Sequence, residues 1–214
     1  MLKLFDGFIF DIDGTLTSTN QLIFDSYNFI AKKFLNRTFT NEEIICLFGP
    51  TERQIIEKLF GENHTEVIKD YYKFYGDNHS MAFIYPGLKE ILIELKNHNY
   101  PVGIFTGKGR DSSMITLTKL GVVKYFDLIV TGDDVLNPKP SPEGILKFVN
   151  EFRLNPERVL MIGDSVSDVN AAKDAGVKIA SVLWDSYGIE EVKTLKSNYY
   201  FHSVKEFSEF LYSS

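Results

Sequence analysis

From residue 83 onward, short apolar runs alternate with amphipathic segments, and this alternation constrains the fold more than any other feature of the sequence. Such a pattern is typical of βαβ units, in which parallel strands are joined by helices. The candidate strands are GFIF (7–10), VGIFT (102–106), DLIVT (127–131), RVLMIG (158–163), IASVLW (179–184) and, as an edge strand, NYYF (198–201). We therefore predict an α/β fold built on a parallel sheet.

Polar residues follow most of these candidate strands. Asp11, Thr106 and Thr131 each close an apolar run, and Asp164 comes directly after Gly163. In open α/β sheets, ligands bind outside the carboxyl ends of the strands. We therefore expect a functional site where these polar residues meet.

Helix signals fill the gaps between the strands. Ser141 followed by Pro142 is typical of a helix start, and Ser203 with Glu206 predicts a capping box. The apolar residues of GLKEILIELKNH (87–98) fall on one face of a helix. These features predict packing against the sheet, and we give them no catalytic role.

Residues 18–80, here called the helical segment, carry successive helix signals and no convincing strand. The signals are the periodic run QLIFDSYNFIAKKFL (21–35), the possible capping boxes Thr40–Glu43 and Thr51–Gln54, and the further helix TEVIKDYYKFYG (65–76). We predict a helical subdomain inserted just after the first strand. Such an insertion is placed to close over that strand's end as a lid.

The composition is that of a soluble globular protein large enough to be an enzyme. The chain has 214 residues, of which 44% are hydrophobic and 24% charged, and its net charge is -6. This charge offers no overall attraction to nucleic acid or to an anionic membrane, so neither is an expected partner. We expect a small-molecule partner instead.

The sequence also predicts a reducing, cytoplasmic setting. Asp6 and Asp11 interrupt the N-terminal apolar run too early for a signal peptide, and no later stretch is apolar enough to span a bilayer. The single cysteine, Cys46, cannot form an internal disulfide, and its apolar neighbours predict a small buried side chain.

Two aspartates end the first apolar run, in FIFDIDGTLT (8–17). Alternation in an extended chain directs the side chains of Asp11 and Asp13 toward the same side. Two like charges held close together repel, and burying them unpaired is costly. A solvated turn that uses Asp and Gly for backbone reasons would explain the pattern, and so would a cation or a proton that resolves the repulsion.

The other strand-end residues favour the second interpretation when they are taken together. Thr106 closes its strand, Lys139 stands in NPKPSP, and Asp164 and Asp168 share one side of a helix start in GDSVSD. Alone, each has an ordinary structural explanation. Together they provide the parts that phosphoryl transfer needs: a carboxylate nucleophile, an acid, donors for phosphoryl oxygens and hard oxygen ligands that suit Mg²⁺.

At this point the sequence resembles the haloacid dehalogenase superfamily of phosphatases. DIDGT looks like the first motif of that family, Thr106 the second, Lys139 in KPSP the third and GDSVSD the fourth, in the family's order. The resemblance implies a Rossmann-like, three-layer parallel-sheet core, formed by residues 1–17 and 81–214. It also implies an inserted α-helical cap domain over residues 18–80.

The resemblance assigns a role to each matching residue. Asp11 would be the nucleophile, and Asp13 would protonate the leaving group and then activate water. Thr106 would hold a phosphoryl oxygen, and Lys139 would orient Asp11. Mg²⁺ would be bound by Asp11, by Asp164 and by the backbone carbonyl of Asp13, with Asp168 acting mainly through a metal-bound water.

Asp13 separates branches of the family, because the dehalogenases lack an acid at this position. A halide leaves without a proton, whereas an oxygen leaving group needs one. We therefore expect phosphate esters or anhydrides as substrates rather than carbon–halogen bonds.

Candidate substrate contacts lie in two loops. FGPTER (48–53) looks most like the Gly-Pro loop of phosphoglycolate phosphatases and related pyrophosphatases. Sugar phosphomutases carry an arginine three residues after that glycine, where this sequence has Glu52, with Arg53 one residue later. Further candidate contacts are Gly107, Lys108 and His79.

The resulting prediction is a Mg²⁺-dependent phosphohydrolase that acts on a small phosphorylated metabolite, phosphoglycolate phosphatase-like first. A pyrophosphatase of the same branch, a sugar phosphomutase and, more remotely, a non-catalytic phospho-acceptor module resembling a response-regulator receiver are the alternatives. We expect a monomer or a homodimer.

Overall fold

The computed structural model describes residues 4–212. In chain order its strands and helices are β1 (Gly7–Phe10), β2 (Thr17–Ser18), α1 (Asn20–Leu35), α2 (Asn41–Ile45), α3 (Glu52–Phe60), α4 (His64–Asp77), β3 (Phe83–Ile84), α5 (Leu88–Asn97), β4 (Val102–Phe105), α6 (Arg110–Lys119), β5 (Leu128–Val130), α7 (Glu143–Glu151), β6 (Val159–Gly163), α8 (Val166–Asp174), β7 (Lys178–Val182), α9 (Ile189–Thr194), β8 (Tyr199–Phe201) and α10 (Val204–Tyr212).

Six strands form one parallel sheet in the order β5-β4-β1-β6-β7-β8. All six candidate strands of the sequence are present, and the last of them lies at an edge as predicted. β1 is central, and Phe8 pairs with Val102 of β4 on one side and with Leu160 of β6 on the other. The carboxyl ends of β4, β1 and β6 are therefore neighbours.

Helices cover both faces of the sheet, which gives the predicted three-layer α/β architecture. Alternation along β1 sends Phe8 and Phe10 to one apolar cluster and Ile9 to another. The first cluster includes Leu92 of α5, and the second includes Phe148 of α7. Because β1 is buried on both faces, its sequence is continuously apolar.

The helical segment builds an apolar cluster of its own. Residues of α1, α3 and α4 meet there, among them Tyr27, Ile56 and Tyr71. Its entry and exit are joined by a two-stranded antiparallel ribbon, in which β2 pairs with β3. The sequence analysis did not foresee this ribbon, because strands of two residues carry no readable alternation.

Local helix signals are mostly confirmed. Both capping boxes of the helical segment form with both of their hydrogen bonds, at Thr40 and at Thr51. At Ser203 only half of the box forms, since Glu206 accepts from the backbone N–H of His202 instead of that of Ser203. Ser141 accepts from the backbone N–H of the first residue of α7 at 3.3 Å.

The expected burial of Cys46 is wrong. The cysteine is exposed, because α2 is a short helix whose buried apolar residue is Ile44, and Cys46 follows it on another side. Among residues 4–212, no helix is both long and apolar enough to cross a bilayer.

Candidate active site

Three carboxylates meet at the carboxyl ends of β1 and β6. Asp11 follows β1 and its backbone N–H donates to Ile162 of β6, so the parallel pairing sets Asp11 beside Asp164. Asp168 joins them from the first turn of α8. One oxygen from each of Asp11, Asp164 and Asp168 lies within 4.8 Å of the others, and all three residues are buried.

Lys139 is the cation closest to this cluster. It comes from the loop before α7, and its Nζ lies 2.9 Å from Asp11 Oδ1 and 2.5 Å from Asp168 Oδ1. Burial lowers the pKa of Lys139, but the carboxylates of Asp11 and Asp168 outweigh it and raise the pKa overall. The ammonium is therefore a fixed positive charge that orients Asp11.

One ammonium does not balance the three carboxylates. Burial, together with the charges of Asp168 and Asp13, raises the pKa of Asp11 to about 6 despite the opposing effect of Lys139. Burial and the charge of Asp11 also raise the pKa of Asp164 well above its usual value. Asp11 Oδ1 has no aligned hydrogen-bond donor among the described residues. An all-oxygen set with excess negative charge fits a hard divalent cation.

The turn after Asp13 explains the glycine and threonine of DIDGT. Gly14 has φ +76, and a Cβ there would lie 2.6 Å from Asp164 Oδ2, so the position needs a residue without a side chain. The hydroxyl of Thr15 donates to Asp164 Oδ1 at 2.8 Å. The sequence analysis gave Thr15 no role, although its place directly after the glycine turn was a usable signal.

Asp168 serves the helix and the cluster at once. Its Oδ2 accepts from the backbone N–H and the hydroxyl of Ser165, which closes a capping box at the start of α8. Its Oδ1 accepts from Lys139. Asp168 is therefore both a helix-capping residue and a member of the carboxylate cluster.

Asp13 lies apart from the carboxylate cluster and has partners of its own. Its Oδ1 accepts from the hydroxyl of Thr19, just before α1, and Lys108 Nζ lies 3.1 Å from both of its oxygens. The side chain of Asp13 is more exposed than that of Asp11. Its carboxylate is therefore the more accessible of the two.

The loop after β4 carries the next site residues. Thr106 is buried, and its hydroxyl oxygen accepts from the backbone N–H of Lys108 at 3.2 Å across Gly107. Lys108 packs its ammonium 4.8 Å from the ring centroid of Tyr75. Burial lowers the pKa of Lys108, but the charge of Asp13 contributes to raising it overall.

A cavity of about 520 Å³ joins these residues, a size typical of small-molecule sites. Its lining comes both from the strand-end loops and from the helical segment. The strand-end loops contribute Asp11, Asp13, Thr106, Gly107, Lys108, Lys139 and Asp164. The helical segment contributes Asn20, Ile23, Tyr27, Ile45, Phe48, Glu52, Ile55 and Tyr71.

Arg53 and His79 lie outside this cavity. Arg53 is 46% exposed, and its Nη2 is 3.4 Å from Asp111 on the surface. His79 is buried, with Nε2 3.2 Å from the hydroxyl of Thr116 and its ring against Tyr75. Because both side chains have other partners and neither lines the cavity, we do not propose Arg53 or His79 as a substrate contact.

Glu52 lines the cavity, and the sequence analysis noted it only as the residue that stands where sugar phosphomutases carry an arginine. It is buried, and its carboxylate accepts from the backbone N–H of Gly109 at 2.8 Å and from the hydroxyl of Ser112. A Cβ at residue 109 would lie 2.9 Å from Glu52 Oε2. In the sequence, an acidic residue in the first turn of a helix is explained by the helix dipole alone, which hid its tertiary role.

The segment that carries these strand-end carboxylates, the lysine and the threonine matches a known protein family. The model of the haloacid dehalogenase-like hydrolase family matches residues 8–182. The chain belongs to this family. The match spans the helical segment as well as five of the six sheet strands, whereas a receiver-like module would have no such segment.

Relatives with similar sequences support a phosphatase. The chain is 32% identical over 205 residues to pyrophosphatase PpaX of Bacillus velezensis, covering 95% of each chain. It is 33% identical over 192 residues to pyrophosphatase PpaX of Bacillus cereus, covering 89% of each. This haloacid dehalogenase-like chain is a phosphatase.

Solved structures share the fold. One described as a predicted phosphoglycolate phosphatase from Haemophilus somnus 129pt has a TM-score of 0.86 at 22% identity, covering 97% of this chain and 98% of its own. CbbY from Rhodobacter sphaeroides in complex with phosphate has a TM-score of 0.83 at 19% identity, covering 95% and 96%. At these identities the similarity establishes the Rossmann-like core and its helical additions.

Proposed function

We propose that this phosphatase is a Mg²⁺-dependent phosphohydrolase that works through an aspartyl-phosphate on Asp11. The observation that carries the proposal is the placement of Asp11, held 2.9 Å from the Lys139 ammonium and beside Asp164 and Asp168 in a buried, over-acidic cluster. A carboxylate that is oriented by a fixed cation and faces a cavity is suited to attack phosphorus.

The reaction has two steps with Asp13 as the proton carrier. An oxygen of Asp11 forms a bond to phosphorus while the bond to the leaving oxygen breaks, and the proton of Asp13 passes to that oxygen. Water then attacks phosphorus, its proton passes to Asp13, and the bond between phosphorus and Asp11 breaks to release phosphate. Thr106 is placed to donate to a phosphoryl oxygen.

The residues of the cluster fit Mg²⁺ by number, charge and ligand type. Asp11 and Asp164 would hold it, with the backbone carbonyl of Asp13 as a further ligand and Asp168 acting through water. When bound, Mg²⁺ supplies positive charge that offsets the charge of the phosphoryl oxygens. Thr15 and Lys139 keep two of these carboxylates in place.

Lys108 indicates the charge of the leaving group. Its ammonium lies 3.1 Å from Asp13, where the leaving oxygen would receive its proton, so it can also neutralise an anion attached to that oxygen. Pyrophosphate and phosphoglycolate both carry such a compact anion. The names of the similar Bacillus proteins favour pyrophosphate as the first candidate, and phosphoglycolate is the second.

A sugar phosphomutase would need a cation for a second, distant phosphate. The cations among the described lining residues are Lys108 and Lys139, and both lie within 3.1 Å of Asp13 or Asp11, so neither is placed for a distant phosphate. Glu52 occupies the loop position that is an arginine in those enzymes, and its carboxylate is engaged by Gly109 and Ser112. These observations favour hydrolysis over phosphoryl return.

The helical segment, residues 18–80, is the proposed cap domain of this site. It contributes a large share of the cavity lining, and its Tyr71 and Glu52 face the loops that carry the catalytic groups. We propose that it decides which leaving groups enter. Its closing would also exclude bulk water from the cavity while the bond between Asp11 and phosphorus forms.

A phosphate-release assay tests the proposal. The purified protein is tested with and without Mg²⁺ on pyrophosphate, phosphoglycolate, sugar phosphates and an aryl phosphate. We expect Mg²⁺-dependent release that is abolished in Asp11→Asn and retained in Asp111→Asn, an exposed aspartate paired only with Arg53 among the described contacts. Release that persists in Asp11→Asn would contradict the proposed nucleophile.

A further inference from the structure

Two buried tyrosines of the helical segment face the cavity together. Tyr27 of α1 and Tyr71 of α4 have ring centroids 5.1 Å apart and are only 2% and 1% exposed. Both line the cavity that contains Asp11 and Lys108. Two side chains from different helices thus form one aromatic surface on the helical side.

The hydroxyls of these tyrosines have no hydrogen-bond partner among the described residues. Two other tyrosines differ: Tyr75 bonds to Thr116 at 2.8 Å, and Tyr85 donates to Asp185. Neither hydroxyl is among those of the described residues that are both shut off from solvent and without a partner, which are those of Tyr72 and Ser113, so both are open to the cavity that their residues line. Two hydroxyls without a protein partner among the described residues are thus available to a ligand in the cavity.

The chemistry of the pair selects an oxygen acceptor. Burial and the charge of Glu52 raise the pKa of both tyrosines well above the usual value, so both remain neutral donors. Neutral donors suit the oxygens of an anion whose charge is already met by Lys108, and they offer little to an apolar ring. The Glu52 carboxylate on the same side of the cavity disfavours further negative charge beyond that.

We propose that Tyr27 and Tyr71 are specificity-determining residues that donate hydrogen bonds to the oxygens of a compact anionic leaving group. This inference deepens the proposed function and rests on it. Lys108 would neutralise the charge of the leaving group, and the two tyrosine hydroxyls would orient it through their hydrogen bonds. Substrates with an oxyanion next to the scissile bond should therefore be preferred to esters with an apolar leaving group.

The test compares substrates on single variants. Tyr27→Phe and Tyr71→Phe remove one hydroxyl each, and kcat/KM is measured on pyrophosphate, phosphoglycolate and phenyl phosphate with Mg²⁺. We expect each variant to lose about 10- to 100-fold on the better oxyanion substrate and less than about threefold on phenyl phosphate, since a hydrogen bond to a charged group is lost only with the former.

Tyr72→Phe is the matched control on the same helix as Tyr71. The Tyr72 hydroxyl is also buried without a partner among the described residues, but Tyr72 does not line the cavity. We expect this variant to keep all three values of kcat/KM. A melting temperature recorded for each variant separates misfolding from altered recognition.

The outcomes distinguish the proposed role of the two tyrosines from the proposed phosphohydrolase function. Equal losses on phenyl phosphate and on the oxyanion substrates would assign the tyrosines a structural role and overturn the inference. So would a wild-type preference for phenyl phosphate, although phosphohydrolase activity would then stand. If the wild-type protein released phosphate from none of the compounds, the proposed function itself would fail, and the inference with it.

Discussion

The carboxylate of Glu52 accepts a 2.8 Å hydrogen bond from the backbone N–H of Gly109, which lies 57 residues away in the chain. Gly109 is the N-cap residue of α6 and has no side chain with which to cap the helix. A residue of α3 therefore caps α6, the helix that connects β4 and β5. The capped loop also contains Thr106 and Lys108, so docking of α3 is coupled to the geometry of the site.

Removing this carboxylate should affect stability and catalysis together. Glu52→Ala leaves the Gly109 N–H and the Ser112 hydroxyl without their acceptor, and we expect the free energy of unfolding to fall by about 1–2 kcal/mol. Because the loop with Lys108 loosens, kcat/KM should fall about tenfold, which corresponds to about 1.4 kcal/mol. Urea unfolding and steady-state kinetics measure the two effects.

Arg53→Ala is the control for Glu52→Ala. Arg53 connects the same two helices through Asp111, but on the exposed surface, where an ion pair contributes less than about 1 kcal/mol. We expect near-wild-type stability and kinetics. If both variants lost activity equally, the coupling would belong to the whole interface rather than to Glu52.

The raised pKa of Asp11 makes metal-free stability depend on pH. In the folded state this pKa is about 6, above the usual 3.8, so the folded state binds the proton more tightly than the unfolded state does. The stability from this protonation is present at low pH and is lost as pH rises through about 6. In the metal chelator EDTA, Asp11→Asn should therefore be more stable than wild type at pH 8, by up to about 3 kcal/mol.

Thermal unfolding at pH 5 and at pH 8 measures this difference. The advantage of Asp11→Asn should shrink toward pH 5, where the wild-type carboxyl is largely protonated. A gain that is the same at both pH values would show that the substitution acts through packing rather than through charge.

Lys139 is the counter-charge for two buried carboxylates, so its removal should be costly. In Lys139→Met the chain keeps a side chain of similar length, but Asp11 and Asp168 lose the ammonium. We expect the free energy of unfolding to fall by about 3 kcal/mol and phosphate release to be lost. Chemical denaturation in EDTA and the release assay measure these effects.

Lys193→Met provides the comparison for Lys139→Met. Lys193 forms an exposed ion pair with Glu190, and its loss should change stability by less than about 1 kcal/mol. A similar loss of unfolding free energy in both variants would contradict the role of Lys139 as the counter-charge of the buried carboxylates.

Gly14→Ala and Gly61→Ala separate backbone strain from crowding at the carboxylates. Both glycines have positive φ, at +76 and +54, so alanine strains the backbone at each. Only at Gly14 does the new Cβ meet a carboxylate, 2.6 Å from Asp164 Oδ2, whereas at Gly61 nothing lies within 4 Å. We expect Gly14→Ala alone to raise the Mg²⁺ concentration needed for half-maximal activity, by about tenfold or more. Unchanged Mg²⁺ dependence in Gly14→Ala would contradict the proposed role of Asp164 as a metal ligand.

The sheet and the grouping of Asp11, Thr106, Lys139 and Asp164 were predictable from the sequence. Each strand is long enough to show a continuous apolar run, and each polar residue stands directly after a strand or in a motif with fixed spacing. Parallel strands bring their carboxyl ends together, so a linear pattern became a spatial cluster. For these residues, the local pattern of each strand and the pairing of the strands in the sheet predict the same site.

The contacts of the helical segment could not be predicted in the same way. Glu52 and Arg53 are adjacent in sequence, yet Glu52 faces the cavity and Arg53 the surface, because successive helix positions are about 100° apart around the axis. His79 faces Thr116 and the ring of Tyr75 rather than the cavity. Which face of each helix is inward depends on how the segment docks, and that information is distributed over many weak contacts.

The β2–β3 ribbon gives the two proposed catalytic aspartates different mechanical attachments. Asp11 is bonded to β6 in the middle of the sheet, whereas Asp13 forms a bridge with Thr17 at the ribbon and accepts from Thr19 at the root of α1. Because its entry and exit are paired, we expect the helical segment to move as a unit about the β2–β3 ribbon, next to Asp13. In the proposed mechanism, such a movement would shift Asp13, the proton carrier, while Asp11, the nucleophile, stayed in place, so the position of the helical segment would set the timing of proton transfer.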